Sequence, residues 1–197
     1  MFSLAYGTTA HGVSKSLGIP KKEAQNLIDR YLDANPEMKI YIKNQHEKAK
    51  KYGFVQNSFG MRVLLADCME MDKTSDRYVK MRGEKQLKKA LNIPIQSANA
   101  VLLYHGLIRA KKYIKELGLE DKVHFMFSVY DSFCYEIHES VPKEVALDII
   151  EKSFCCYLND FALMIDSEIG SSWGCTDPVK RERPSRKELT QYNMSLY

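Results

Sequence analysis

Apolar positions recur at helical spacing through the first quarter of the chain. Ala24, Leu27, Ile28, Tyr31 and Leu32 fall three and four apart, which predicts a helix opened by Ile19-Pro20 and broken by Asn35-Pro36. A shorter helix precedes it. Thr8-Thr9-Ala10-His11 offers its start, Val13, Leu17 and Ser14 mark one face, and Gly18 stops it. A third helix is predicted from Glu37 to Lys51, with Met38, Tyr41, Ile42 and Ala49 inward, a dense lysine face outward and Gly53 at its end. The pattern then changes. Phe54 to Gly60 alternates weakly, as a short strand or hairpin arm does, and Met61 to Leu65 is its return. Asp67 to Thr74 is polar and reads as a loop. A charged helix follows from Ser75 to Leu91, Pro94 starts or kinks the next, and Ser97 to Leu117 is the most hydrophobic helix of all.

After Gly118 the chain becomes strand-like. In Phe125-Met126-Phe127-Ser128-Val129-Tyr130-Asp131-Ser132-Phe133-Cys134-Tyr135-Glu136-Ile137, β-favouring residues run up to one acidic residue and resume after it. This predicts a tight antiparallel hairpin with Asp131 at or beside its tip. Pro142 opens a helix carrying Val145, Ile149, Ile150, Phe154 and Leu158, and Phe161 to Ile169 reads as a strand ended by Gly170. Thr176 to Tyr197 has prolines, alternating charges and little to bury, as a mobile tail does. Met1 to Gly7 has the apolar character of a buried helix but no cap before it. The fold class is α+β.

Composition narrows the setting. The 197 residues suit one large domain, and 45% hydrophobic with 27% charged residues is the balance of a soluble globular protein. No apolar run is long enough to span a membrane, and the first residues are too few and too uncharged for a signal peptide. Five cysteines without metal spacing point to reduced thiols and a cytoplasmic setting (a host's, if the source is viral). A net charge of +4 permits a phosphate-rich partner without demanding one. Among candidate chemical groups Asp131 stands first. A carboxylate held by two strands and facing open space suits a metal ligand, although an isolated Asp-Ser is more often a plain turn, and the rest of the chain is what favours the ligand.

Ordered motifs add to this reading. Met1-Phe2-Ser3-Leu4-Ala5-Tyr6-Gly7, Glu23-Ala24 through Tyr31-Leu32, Gly53-Phe54-Val55-Gln56-Asn57-Ser58-Phe59-Gly60-Met61-Arg62, Asn92-Ile93-Pro94-Ile95-Gln96, Tyr130-Asp131-Ser132 and Ile169-Gly170-Ser171-Ser172-Trp173 occur in that order. Together they resemble the C-terminal part of family A DNA polymerases over residues 2 to 174. The resemblance implies a truncated fingers portion over 1–75, a palm portion over 76–174 and a polar tail over 175–197. It implies template-dependent addition of deoxynucleotides from their triphosphates to primer-template DNA, with Mg²⁺ in a two-metal site.

In such a site two carboxylates bridge ions about 3.5–4 Å apart. The resemblance makes Asp131 one of them, catalytic and metal-binding. The second belongs to a strand preceding the fingers, so the chain would supply half of the site and a separate N-terminal polymerase chain the rest. Phe2 and Tyr6, four apart, resemble the rings that stack on the incoming nucleotide and template base. Asn92 and Gln96 share a helix face that Lys88 continues, and their amides suit minor-groove acceptors common to every base pair. Arg62 would contact the DNA backbone. Tyr130 stands where the family has a histidine at the primer end, and Ser132 where it has an acidic residue. Lys80, Arg82, Lys85, Lys88 and Lys89 are better placed for phosphates than the lysine face of residues 39–51. The alternative is a non-catalytic DNA-binding remnant of the same fold.

Overall fold

The computed structural model describes residues 8–179, 187 and 189–192. The predicted helix at Met1–Gly7, with Phe2 and Tyr6, lies outside the described residues. The fold is α+β, with long helices and small sheets, and it divides into two compact units, residues 1–98 and 99–197.

In the first unit, α1 (Ala10–Leu17) starts where Thr9 accepts the Gly12 N–H, and it ends at Gly18 in the left-handed region. Helix α2 (Lys21–Asp33) packs on it through Ala10, Ala24 and Ile28. Contact through alanines is narrow. Leu17 and Leu27, expected on the buried face, therefore stay 60% and 41% exposed. Helix α3 (Pro36–Tyr52) ends at Gly53, whose φ of 69° turns the chain into β1 (Phe54–Gln56). A Cβ on Gly53 would also lie 2.5 Å from the sulfur of the flexible Met69 side chain, so it is mainly the positive φ that calls for glycine there. Strand β2 (Arg62–Leu64) returns antiparallel to β1. The stretch read as a polar loop contains a short helix, α4 (Asp67–Glu70). Its Asp67 accepts hydrogen bonds from Arg82 and Gln86. Ala49, Val55, Leu65, Cys68 and Ala90 form the core.

Helix α5 (Arg77–Glu116) is continuous where two helices were expected. Proline removes one main-chain bond and crowds the preceding turn. Here Pro94 is buried, its own carbonyl accepts from the Ser97 hydroxyl, and the Leu91 carbonyl accepts from Tyr41 at 2.8 Å. Side chains thus supply donors around the break, and the helix carries on.

The second unit holds the rest of α5, the hairpin β3 (Val123–Val129) and β4 (Ser132–Ile137), and α6 (Lys143–Phe154). Strands β5 (Cys156–Leu158), β6 (Phe161–Leu163), β7 (Glu168–Ser172), β8 (Cys175–Pro178) and β9 (Thr190–Tyr192) follow. Leu158 falls in β5 rather than in the helix. The single strand expected over Phe161 to Ile169 is two, β6 and the start of β7. The C-terminal stretch read as a tail is also partly structured. Strand β8 pairs with β7, and β9 runs parallel to β5 with Leu189 buried. The core is Ile114, Val123, Val141, Ala146 and Ile149, with Tyr135 and Ile137 of the hairpin packed on it. No helix among the described residues is long and apolar enough to cross a membrane.

One buried group gives the first unit a pH response. The His46 Nε2 is buried without a partner. Burial first, and then the Lys50 charge, hold the imidazole pKa below the usual histidine value, against an opposing hydrogen bond with the Leu87 backbone. The unfolded chain takes up its proton near 6.5 while the native chain does so only at lower pH. Between those two values the unfolded state binds more protons, so stability falls as pH falls. The urea midpoint should therefore drop from pH 7.5 to pH 5.5, and drop less in His46→Gln. Equal slopes in both proteins would remove His46 as the cause.

Candidate functional site

The turn that carries Asp131 is as short as a hairpin allows. Val129 pairs with Ser132, leaving only Tyr130 and Asp131 between the strands. Such two-residue loops need positive φ to follow the strand twist, a role usually filled by glycine or asparagine. Here Tyr130 fills it at φ 54°, with its side chain 98% exposed. Asp131 and Ser132 beside it are exposed as well.

Aromatic packing stiffens the strands behind the tip. The Phe125 ring meets Phe133 and Tyr135 edge-on at 5.5 and 5.7 Å. Phe127 meets Trp173 at 5.1 Å, which packs the last residue of the Ile169–Trp173 motif against strand β3. A bulge between Phe125 and Phe127 shifts the register there, so the strand re-aims partway to the tip. Burial pushes the Tyr135 phenol up to about 12, and its hydroxyl has no partner. Tyr135 therefore stays neutral and acts in packing. At the other end Val123, Tyr135 and Ile137 root the hairpin in the core.

An exposed carboxylate is a hard oxygen donor and fits one ligand position for Mg²⁺. Among the described residues no group of three or more His, Cys, Asp or Glu side chains is arranged to hold a metal ion. Asp131 by itself can offer one such oxygen ligand.

The other candidate side chains lie in the first unit. On α5, Lys88 and Gln96 are exposed and Asn92 is half-buried, one above another at successive turns. Lys80, Lys85, Lys88 and Lys89 have no ion pair among the described residues, although Arg82 is bound to Asp67. The lysine face of α3 differs. Lys39 lies 2.8 Å from Asp33, Lys43 is 3.9 Å from Glu47 and Lys50 is 2.8 Å from Asp72. Asp33 raises the Lys39 pKa by its hydrogen bond first and by its charge. Carboxylates therefore already offset three lysines on α3, while Lys80, Lys85, Lys88 and Lys89 of α5 have no carboxylate at ion-pair distance among the described residues.

Arg62 stands on β2. Its Nε donates to Gln56 across the hairpin at 3.0 Å, and its guanidinium lies 4.8 Å from the centre of the Phe54 ring. Those contacts fix the plane and leave the outer N–H groups toward solvent. The residue that shapes this hairpin is Asn57, which is buried. Its Oδ1 accepts the Phe59 and Met61 N–H groups, and its Nδ2 donates to Ser97 Oγ. Sequence reading passed over Asn57.

Comparison with known proteins gives a consistent family. Residues 1–175 match the family model for DNA polymerase family A. DNA polymerase I of Pseudomonas aeruginosa is 28% identical over 172 residues, covering 87% of this chain and 18% of that protein. The thermostable DNA polymerase I of Thermus filiformis is also 28% identical over 172 residues, covering 87% of this chain and 19% of its own length. The chain therefore spans about a fifth of the length of these relatives. Among solved structures, the POL domain of Pol1 from M. smegmatis in complex with DNA primer-template and dNTP is similar with a TM-score of 0.65 and 26% identity. That match covers 78% of this chain and 25% of that one.

Proposed function

Because the chain belongs to DNA polymerase family A, we propose that its residues form the end of the fingers and most of the palm of a DNA-directed DNA polymerase. The observation that carries the reading is Asp131 on a two-residue hairpin turn, inside a segment matched to the family along nearly its whole length. In this reading Asp131 holds Mg²⁺ and is the catalytic carboxylate of this chain. The bound ions supply activation of the primer 3′-hydroxyl and neutralisation of the pyrophosphate that leaves. The protein's own work is placement. Asn92 and Gln96 contact the minor groove, Lys88 and Arg62 contact phosphates, and Tyr130 and Ser132 meet the primer end. Phe2 and Tyr6 stack on the incoming deoxynucleoside triphosphate and the template base.

The second bridging carboxylate and the cations that grip the triphosphate come, in this proposal, from outside these 197 residues, on a separate N-terminal polymerase chain. The test is primer extension with Mg²⁺. The purified chain alone is expected to be inactive, and addition of an N-terminal polymerase portion carrying the palm aspartate restores extension. Extension by the chain alone would refute the divided site. DNA binding without restored extension by any such portion would favour the non-catalytic remnant.

The amide face gives a sharper test. Asn92→Ala and Gln96→Ala are each expected to weaken primer-template binding by about 1 kcal/mol, the net worth of a hydrogen bond. Substitutions at Lys39 and Lys43 should change it less, since both are already ion-paired. Larger losses from the α3 lysines in a binding titration would move the DNA to the other face.

Tyr130 separates function from stability. A non-glycine residue in the left-handed region costs roughly 1–2 kcal/mol, while glycine costs roughly 0.5–1 kcal/mol in chain entropy. Tyr130→Gly should therefore leave stability unchanged or raise it by up to about 1.5 kcal/mol, yet raise the KM for primer. A raised melting temperature with unchanged primer KM would show that the ring does not touch primer.

A further inference from the structure

The buried side chain of Asn57 spans two parts of the proposed DNA surface, and nothing in the reaction itself requires it there. Its carbonyl oxygen gathers two backbone N–H groups, from Phe59 at 2.9 Å and Met61 at 3.0 Å. One side-chain atom therefore sets the loop that delivers Arg62, the next residue. Its amide nitrogen donates to Ser97 at 3.1 Å. Ser97 is buried, adjoins the exposed Gln96, and also bonds the carbonyl of Pro94 between Asn92 and Gln96. Two more contacts fix the loop. Asn57 N–H donates to the Met61 carbonyl and Gly60 N–H to the Asn57 carbonyl. Asn57 is thus at once the centre of the loop and a side-chain hydrogen bond that ties it to α5.

We propose that Asn57 is a positioning residue that locks the Arg62 hairpin to the turn of α5 carrying Asn92 and Gln96. This rests on the polymerase reading given above. A phosphate contact on the hairpin and minor-groove contacts on the helix are useful together only at a fixed separation, because the grooves and backbone of a duplex keep one. A single hydroxyl at this position could accept from the loop but would lack the amide arm that reaches Ser97, so the Asn57–Ser97 pair holds the two parts in register.

The test uses the full chain and a fluorescent primer-template, with affinity measured at several salt concentrations. Arg62→Ala should lower affinity several-fold and flatten the salt dependence by about one unit of slope, as expected for one lost phosphate contact. Ser97→Ala keeps the internal bonds of the loop and cuts its tie to the helix. It should shift affinity and slope in the same direction, and Ser97→Ala with Arg62→Ala should be no worse than Arg62→Ala alone. Hydrogen exchange without DNA gives a separate readout, in which Asn57→Ala should speed exchange at the Phe59 and Met61 amides. Unchanged exchange there would overturn the loop-setting role whatever the DNA does. Faster exchange with an unchanged salt slope and additive double variants would reduce Asn57 to a purely structural residue. Absence of DNA binding by the unsubstituted chain, with normal protection of both amides, would refute the polymerase reading and the positioning role while leaving the loop geometry intact.

Discussion

Under the proposed function, Asp131→Asn is expected to abolish nucleotide addition by the completed polymerase and to leave the fold as it was. The two side chains are nearly the same size, and Asp131 is exposed at the hairpin tip, so packing loses nothing. A turn accepts asparagine as readily as aspartate. What changes is charge. An amide oxygen is a neutral ligand, and a two-metal centre needs carboxylates to hold cations against a triphosphate and the pyrophosphate developing from it. Loss of one bridging carboxylate is expected to raise the barrier by about 4 kcal/mol, on the order of a thousandfold in rate. Ser132→Ala next to it should be mild, since a hydroxyl gives at most one hydrogen bond there. The measurement is single-nucleotide incorporation by both variants beside a thermal melt. An Asp131→Asn complex working at the parent rate would leave Asp131 as a turn residue and nothing more.

Ile149→Ala produces the largest expected loss of stability. Ile149 is 0% exposed and sits in the cluster with Ile114, Val123, Val141 and Ala146. Truncation removes three carbons from water-free packing and leaves a cavity, and such changes cost 2–5 kcal/mol, here about 3. Leu64→Ala is the control. Leu64 is 79% exposed, and its truncation should stay within about 0.5 kcal/mol. The cost also bears on function, because Tyr135 and Ile137 of the hairpin pack on the cluster. In the completed enzyme of the proposed function, Ile149→Ala should therefore inactivate at a lower temperature than the parent while keeping activity in the cold. Urea unfolding measures the first effect as a lower midpoint, and equal midpoints for Ile149→Ala and Leu64→Ala would contradict the placement of the core.

Sequence was most informative where a local rule acts alone. Gly18 and Gly53 end helices because only their backbone adopts the left-handed cap cheaply, and both sit there. The hairpin around Asp131 was legible from its run of β-favouring residues and its turn pair. Reading failed where distant groups decide. Pro94 looks like a boundary until Tyr41, fifty residues away, is seen on the Leu91 carbonyl. Asn57 looks like a turn residue until its bond to Ser97 is seen. The candidate site was legible mainly through the order of its motifs. The spacing of Asn92 and Gln96 predicts their shared face, whereas the paired state of the α3 lysines depends on carboxylates such as Asp72 on a different segment.

The strand β9 changes where this folded unit ends. The family match stops at residue 175, and a truncation there would look natural. Yet β5 lies between β6 and β9 in its sheet, and Tyr192 of β9 accepts a hydrogen bond from Arg109 on α5. Cutting at residue 175 would strip β5 on one side, uncovering a row of unpaired backbone donors and acceptors beside apolar Cys156 and Leu158. Such a bare edge is a template for another chain, and the shortened protein would be prone to self-association and precipitation during expression. Strand β9, which lies past the end of the family match, keeps that edge of β5 covered, and any dissection of this chain has to keep it.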